Sequence, residues 1–130
     1  YITAYVEKMA ASASTYILAA CNRIVMDISA KMHLHFPFGE ITGDAKDLRE
    51  AADELEELTN KYCKAILSRP GCKLTKEKLL SLMAAETTLT AKRCFELGLC
   101  DAVKQPAKQA KQGNSDNTPA RMLAALFKHI

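Results

Sequence analysis

Apolar residues come in short runs over the first third of the chain and at helical spacing over the middle. Tyr1 to Val6 predicts a strand, and Arg23 to Met26 and Lys31 to His35 predict two more, with an Asp27–Ser29 turn between that pair. Phe36-Pro37-Phe38-Gly39 breaks regular structure. From about Asp44 to Ser68 the apolar positions Leu48, Ala51/Ala52, Leu55, Leu58, Tyr62 and Ala65/Ile66 alternate steps of three and four, so a long helix with one narrow apolar stripe is expected. Acidic residues cluster at its start and Arg69-Pro70-Gly71 ends it. Two readings fit: a helix lying on the domain's face, or a projecting arm that pairs with another subunit. Thr75 to Met83 predicts a short helix with Leu79, Leu80, Leu82 and Met83 on its apolar face. Thr90 reads as the N-cap of another helix, with Gly98 as its C′ residue, and Leu99 to Val103 as a final short strand. Residues 104–118 read as a linker, Gln105 to Asn117 being Lys/Gln/Ala/Asn-rich and aperiodic. Residues 119–130 are expected to form a last amphipathic helix opened by Thr118-Pro119, with Met122, Leu123, Leu126, Phe127 and Ile130 on one face.

Between the first two strands lies Ala10-Ala11-Ser12-Ala13-Ser14, followed by Tyr16 to Cys21, which reads as a buried helix turn. A serine at a strand-to-helix junction is held on a sharp turn, and the unpaired N–H groups of the helix start can receive a developing oxyanion. Small neighbours let a substrate backbone approach. Serine at such a place also serves as a helix cap, so the position alone leaves nucleophile and cap both open for Ser12 and Ser14.

Length and composition narrow the class. One domain fits 130 residues, and a 48% hydrophobic content can fill its core. No apolar run reaches the ~20 residues a membrane span needs. The chain opens on Tyr, in strand-like sequence, which predicts a fragment with material missing before Tyr1. The five cysteines, Cys21, Cys63, Cys72, Cys94 and Cys100, are odd in number and show no CxxC spacing, which argues against a disulfide framework or a zinc cluster and for a reducing, cytoplasmic setting. The net charge of +3 is uneven: residues 104–130 carry five Lys/Arg against Asp116, and the rest is near neutral. A near-neutral body without a basic stripe among aromatics argues against nucleic acid as the main ligand.

His35 ends an apolar strand just before the proline break, where it can face a cleft, and an imidazole suits a general base near neutral pH. His33, two residues earlier, lies on the same side of the strand. A His33/His35 metal pair lacks an evident third ligand. Glu86 differs from most of the acids because it sits among small and apolar residues in Met83-Ala84-Ala85-Glu86-Thr87-Thr88, so it is the candidate to orient the histidine.

These residues together resemble a known family. Ala10-Ala11-Ser12 with Tyr16-Ile17-Leu18-Ala19-Ala20 looks like the nucleophile segment of the Clp protease proteolytic subunit, and Lys31-Met32-His33-Leu34-His35-Phe36-Pro37 resembles its histidine segment. Gly43-Asp44-Ala45 with Asp47-Leu48 resembles the start of its handle helix, and Thr90-Ala91 through Phe95-Glu96-Leu97-Gly98-Leu99-Cys100-Asp101 its closing segment. The resemblance covers about residues 3–103 and implies an α/β fold of the Clp/crotonase type, with stacked ββα turns and a projecting handle over 44–68, in a catalytic domain spanning 1–103. It implies Ser12 as nucleophile, His35 as base, Glu86 as third member and Ala13 N–H as oxyanion donor, in a serine peptidase without cofactor. Heptameric homo-oligomer rings, stacked through the handle and fed by an AAA+ unfoldase, are implied as well. Glu-Thr at 86–87 is similar to the phage and prophage branch, whereas the classical family has Asp. Lys8 stands near the family's usual glycine, and the family's Gly-Gly segment would precede Tyr1, so a chain starting there is expected to have little activity. Two alternatives share the fold: an inactive ring component and a crotonase-like acyl-CoA-binding protein. The signal peptide peptidase group is also similar after Ser12, but the His35-Pro37 segment and the handle favour the Clp type.

Overall fold

The computed structural model describes residues 1–105, so the expected last helix and the expected linker beyond its first two residues lie outside the described residues, and Lys104, expected in that linker, ends the last strand. The chain alternates between two three-stranded sheets. Strands β1 (Thr3–Val6) and β2 (Met9–Ala11) are joined by Glu7-Lys8, and α1 (Ala13–Ala19) leads to β3 (Arg23–Asp27) and β4 (Lys31–Leu34). β3 lies parallel to β1, pairing Ala4 with Ile24, and β4 lies parallel to β2, pairing Ala11 with His33. Each ββα turn thus adds one strand to each sheet, which is the stacked arrangement expected.

The turns inside each unit are held by short-range hydrogen bonds. The Asp27 carboxylate accepts from Ser29 N–H at 2.9 Å and from Ser29 Oγ at 2.8 Å, so the chain reverses within three residues. Lys8 carbonyl accepts from Lys31 N–H at 2.9 Å, which ties the Glu7-Lys8 link to the start of β4. Helix α2 (Ala45–Leu67) follows the proline break, opened by an Asp44/Asp47 capping box and closed at Ser68. Helix α3 (Lys76–Ala84), capped by Thr75, leads to β5 (Thr87–Thr90), then to α4 (Ala91–Glu96), capped by Thr90, and β6 (Ala102–Lys104). β5 runs antiparallel to β4 and β6 parallel to β3, giving sheet orders β1-β3-β6 and β2-β4-β5.

The core lies where the sheets meet the helices. Met26, Leu34, Leu79, Met83 and Cys94 are fully buried, and the apolar run of β3 is buried on both faces, as a central parallel strand requires. Helix α1 departs from its expected buried state: only Thr15 and Leu18, three apart, face inward, while Tyr16 and Ile17 are exposed. Helix α2 divides along its length. Its last two turns bury Tyr62, Cys63 and Ile66, whereas Leu48 and Leu58 on the earlier stripe remain exposed. No helix among the described residues is long and apolar enough to cross a membrane.

Gly98 ends α4 at φ +72°, and a Cβ there would run into the Gly71 carbonyl and the Cys72 Cα. Both the backbone conformation and the close approach exclude a side chain. Gly98→Ala is expected to lower stability by about 3 kcal/mol. Urea unfolding of the two proteins measures the difference, and a change below about 1 kcal/mol would count against this packing.

Candidate active site

Ser12 follows β2 and immediately precedes α1, with φ +56° and ψ −132°. That region is unfavourable for a residue with a Cβ and costs on the order of 1–3 kcal/mol. Serine caps helices from an extended conformation, with its oxygen accepting an N–H of the first turn. Here the Ser12 side chain makes no such bond. The local side-chain bonds are made instead by Ser14, whose Oγ accepts from Ala11 N–H at 2.7 Å and donates to Ala11 carbonyl at 2.6 Å. Ser12 Oγ is left exposed at the tip of a strained strand-to-helix turn. Ala13 is the first residue of α1, and its N–H makes no hydrogen bond among the described residues.

The Ser12 carbonyl, by contrast, is held firmly. It accepts Thr15 N–H at 3.1 Å and Thr15 Oγ1 at 2.6 Å. Thr15 Oγ1 in turn lies 2.7 Å from the Tyr62 hydroxyl of α2, in a buried contact. Burial pushes the Tyr62 phenol above its ordinary ionisation range, with the Thr15 hydrogen bond acting in the opposite direction.

Ser12, Ala13 and His35 line one cavity of about 280 Å³, walled by Tyr16, Pro37, Phe38, Leu58 and Tyr62. Strand pairing explains the convergence, since Ala11 at the end of β2 is in register with His33 of β4, and the next residues on the two strands lead to Ser12 and His35. His35 Nδ1 lies 2.6 Å from Phe36 carbonyl. A carbonyl can only accept, so Nδ1 carries a proton, and in the neutral ring Nε2 is then the nitrogen with the lone pair, the tautomer a base needs. His33 shares the face, its ring centroid 5.6 Å from that of His35, and its Nδ1 lies 2.8 Å from Thr88 Oγ1 of β5.

Glu86 stands apart from this cavity. It is exposed at φ +46° in the turn between α3 and β5, and none of the ion pairs among the described residues includes it. The last pair of the β4/β5 register is Leu34 with Thr87, so His35 and Glu86 each lie one residue outside the paired strands. The Asp101 carboxylate, which sequence reasoning did not single out, is engaged elsewhere, with Arg69 at 2.8 Å. Sequence reasoning also missed the Thr15–Tyr62 contact. Its two residues lie 47 positions apart, and only the docking of α2 on α1 brings them together.

The thiols are poor nucleophile candidates. Burial pushes Cys94 up to about 12 and Cys100 up to about 11, and it raises Cys63 as well. No group of three or more His, Cys, Asp or Glu side chains among the described residues is arranged to hold a metal ion.

With this geometry in view, comparison with known proteins is informative. The family profile of Clp protease matches residues 2–107, most of the chain, and the chain belongs to that family. The two sheets of stacked turns with their flanking helices agree with its α/β fold, and membership supports a Clp-type peptidase in general. None of the curated proteins compared with the chain matches it significantly.

The strain at Ser12 can be measured apart from any activity. Ser12→Gly and Ser12→Ala both lose the hydroxyl, but only glycine occupies this region without a Cβ penalty. The glycine variant is expected to be more stable than the alanine variant by about 1–2 kcal/mol. Chemical denaturation of the pair decides it, and the reverse ranking would mean the turn is unstrained.

Proposed function

We propose that this chain is a serine endopeptidase subunit in which Ser12 attacks the peptide carbonyl, His35 acts as general base and acid, and Ala13 N–H receives the oxyanion. The observation that carries the reading is the uncapped Ser12 hydroxyl, on a strained turn, opening onto the cavity that His35 also lines. His35 Nε2 takes the Ser12 proton as Oγ bonds to the carbonyl carbon, and the oxyanion turns toward Ala13 N–H. The imidazolium then passes its proton to the leaving amine, which leaves an acyl-enzyme. Water attacks that ester by the same route, its proton going to His35, and the acid product departs from Ser12.

Glu86 is the acid this reading assigns to the imidazolium. The assignment is supported by the last β4/β5 pair, Leu34 with Thr87, which adjoins both residues in sequence, and an approach of Glu86 to Nδ1 requires that nitrogen to leave the Phe36 carbonyl. The exposed apolar residues Phe38, Ile41 and Leu48 fit burial against a second copy through the handle. The same reading extends to heptameric rings of a prophage-type peptidase in the cytoplasm, receiving unfolded protein from an AAA+ unfoldase. A non-catalytic assembly subunit is the second reading, favoured by the absence of any ion pair to Glu86 among the described residues.

A fluorophosphonate probe tests the chemistry. The wild-type chain is expected to be labelled at Ser12, and Ser12→Ala and His35→Ala are expected to lose the label. Glu86→Gln should fold normally and lower turnover by about 10⁴-fold, by analogy with loss of the orienting acid in a serine triad. Absence of Ser12 labelling in wild type would favour the assembly subunit, and full turnover in the Glu86 variant would leave a Ser-His dyad. Assembly has its own test. Sedimentation is expected to find wild-type oligomers and to find Leu48→Glu shifted toward monomer, and an unchanged distribution would remove Leu48 from the interface.

A further inference from the structure

We propose that Thr15 and Tyr62 are positioning residues that clamp the Ser12–Ala13 peptide plane and so aim the Ala13 N–H at the oxyanion. This inference rests on the peptidase reading of Ser12. The Ser12 carbonyl and the Ala13 N–H belong to one planar trans peptide group and point in opposite directions. Whatever fixes the carbonyl therefore fixes the N–H. Thr15 fixes it twice, through its own N–H at 3.1 Å and its hydroxyl at 2.6 Å.

The direction of the remaining bond follows from counting protons. A threonine hydroxyl has one, and Thr15 gives it to the Ser12 carbonyl, which can only accept. The 2.7 Å contact between Thr15 and Tyr62 must then use the Tyr62 proton. The clamp runs one way, from Tyr62 O–H to Thr15 Oγ1 and from Thr15 O–H to the Ser12 carbonyl. Such a chain polarises each successive group, which makes the Ala13 N–H a stronger donor as well as a better aimed one. Because burial raises the Tyr62 phenol, its proton stays in place through neutral and mildly alkaline pH.

The clamp also accounts for how an uncapped residue persists at φ +56°. A strained conformation survives only where its surroundings over-determine it. Thr15 and Tyr62 are both buried, and Tyr62 sits in the well-packed last turns of α2 beside Cys63 and Ile66. The phenol therefore cannot swing away without opening the core.

The test uses the full chain, with kcat and KM for a fluorogenic peptide scaled to the Ser12 fraction that a fluorophosphonate labels. Tyr62→Phe keeps the ring and removes the donor, and it is expected to lower kcat roughly tenfold with KM within about twofold, because the oxyanion exists only in the transition state. Thr15→Val removes both hydroxyl bonds, to the Ser12 carbonyl and from Tyr62, while keeping the Thr15 N–H, and is expected to cost roughly a hundredfold in kcat. Thr15→Ser, which keeps the hydroxyl, recovers most of it. The double variant Thr15→Val/Tyr62→Phe should be no slower than Thr15→Val, since the two groups act in series. The Ala13 amide resonance is expected to shift in Tyr62→Phe. A purely structural contact would lower the melting temperature and leave kcat per labelled serine unchanged, which would overturn the clamp, as would additive losses or a KM that rises in step. If wild type carries no Ser12 label, the peptidase reading fails by itself, and the Ala13 resonance still decides the clamp: a shift supports it and an unmoved signal overturns it.

Discussion

The attachment of α1 to α2 is the constraint on which the rest of this structure depends. Tyr62 in the last turns of α2 and Arg69 just past its end reach opposite ends of α1. Tyr62 meets Thr15 near its start, while Arg69 Nη1 donates to Leu18 carbonyl at 3.2 Å and to Cys21 carbonyl at 2.8 Å at its end. A helix of seven residues has too few internal hydrogen bonds to hold its own position. Pinned at both ends, it becomes a fixed platform for the turn that carries Ser12.

Arg69 extends that attachment to the rest of the domain. Its Nη2 lies 2.8 Å from the Asp101 carboxylate, and the same carboxylate oxygen accepts Ile24 N–H at 2.6 Å. One guanidinium thus joins the end of α2, the end of α1, the start of β3 and the segment leading to β6. A planar fork of donors can serve several acceptors at fixed angles, which a lysine ammonium cannot. Burying the cation is costly, and its Nε finds no partner among the described residues. Removing the side chain would strip two carbonyls of a donor and leave the Asp101 carboxylate with only the Ile24 N–H among the described residues.

Stability and chemistry pull in opposite directions at Ser12. The conformation that frees its hydroxyl would suit glycine better, and the cap it forgoes is a bond serine readily makes. Ser12 thus departs from local preference on both counts, at the rim of a cavity that His35 also lines. Leu48 and Leu58 make a smaller departure, as apolar residues left exposed on the first part of α2.

Local chemistry was readable along the chain. Asp44 and the Arg69-Pro70-Gly71 stop bound α2 because capping and helix breaking act within a few residues, and Thr90 and Gly98 marked α4 for the same reason. Strands β3 and β4 carried enough apolar residues to be seen. Strand β2 did not: Met9–Ala11 is three residues of helix-compatible sequence that become a strand only through pairing with β4. Strand β5 falls between the helix expected to end at Met83 and the N-cap expected at Thr90, and its three threonines were the available signal. The sequence alone determined which residues could do chemistry, because a serine before a helix and a histidine before a proline are local facts. Tertiary structure alone decided that Ser12 and His35 share a cavity, that Tyr62 reaches Thr15 and that His35 Nδ1 meets Phe36 rather than Glu86, because strand register and helix docking are set by contacts between distant parts of the chain.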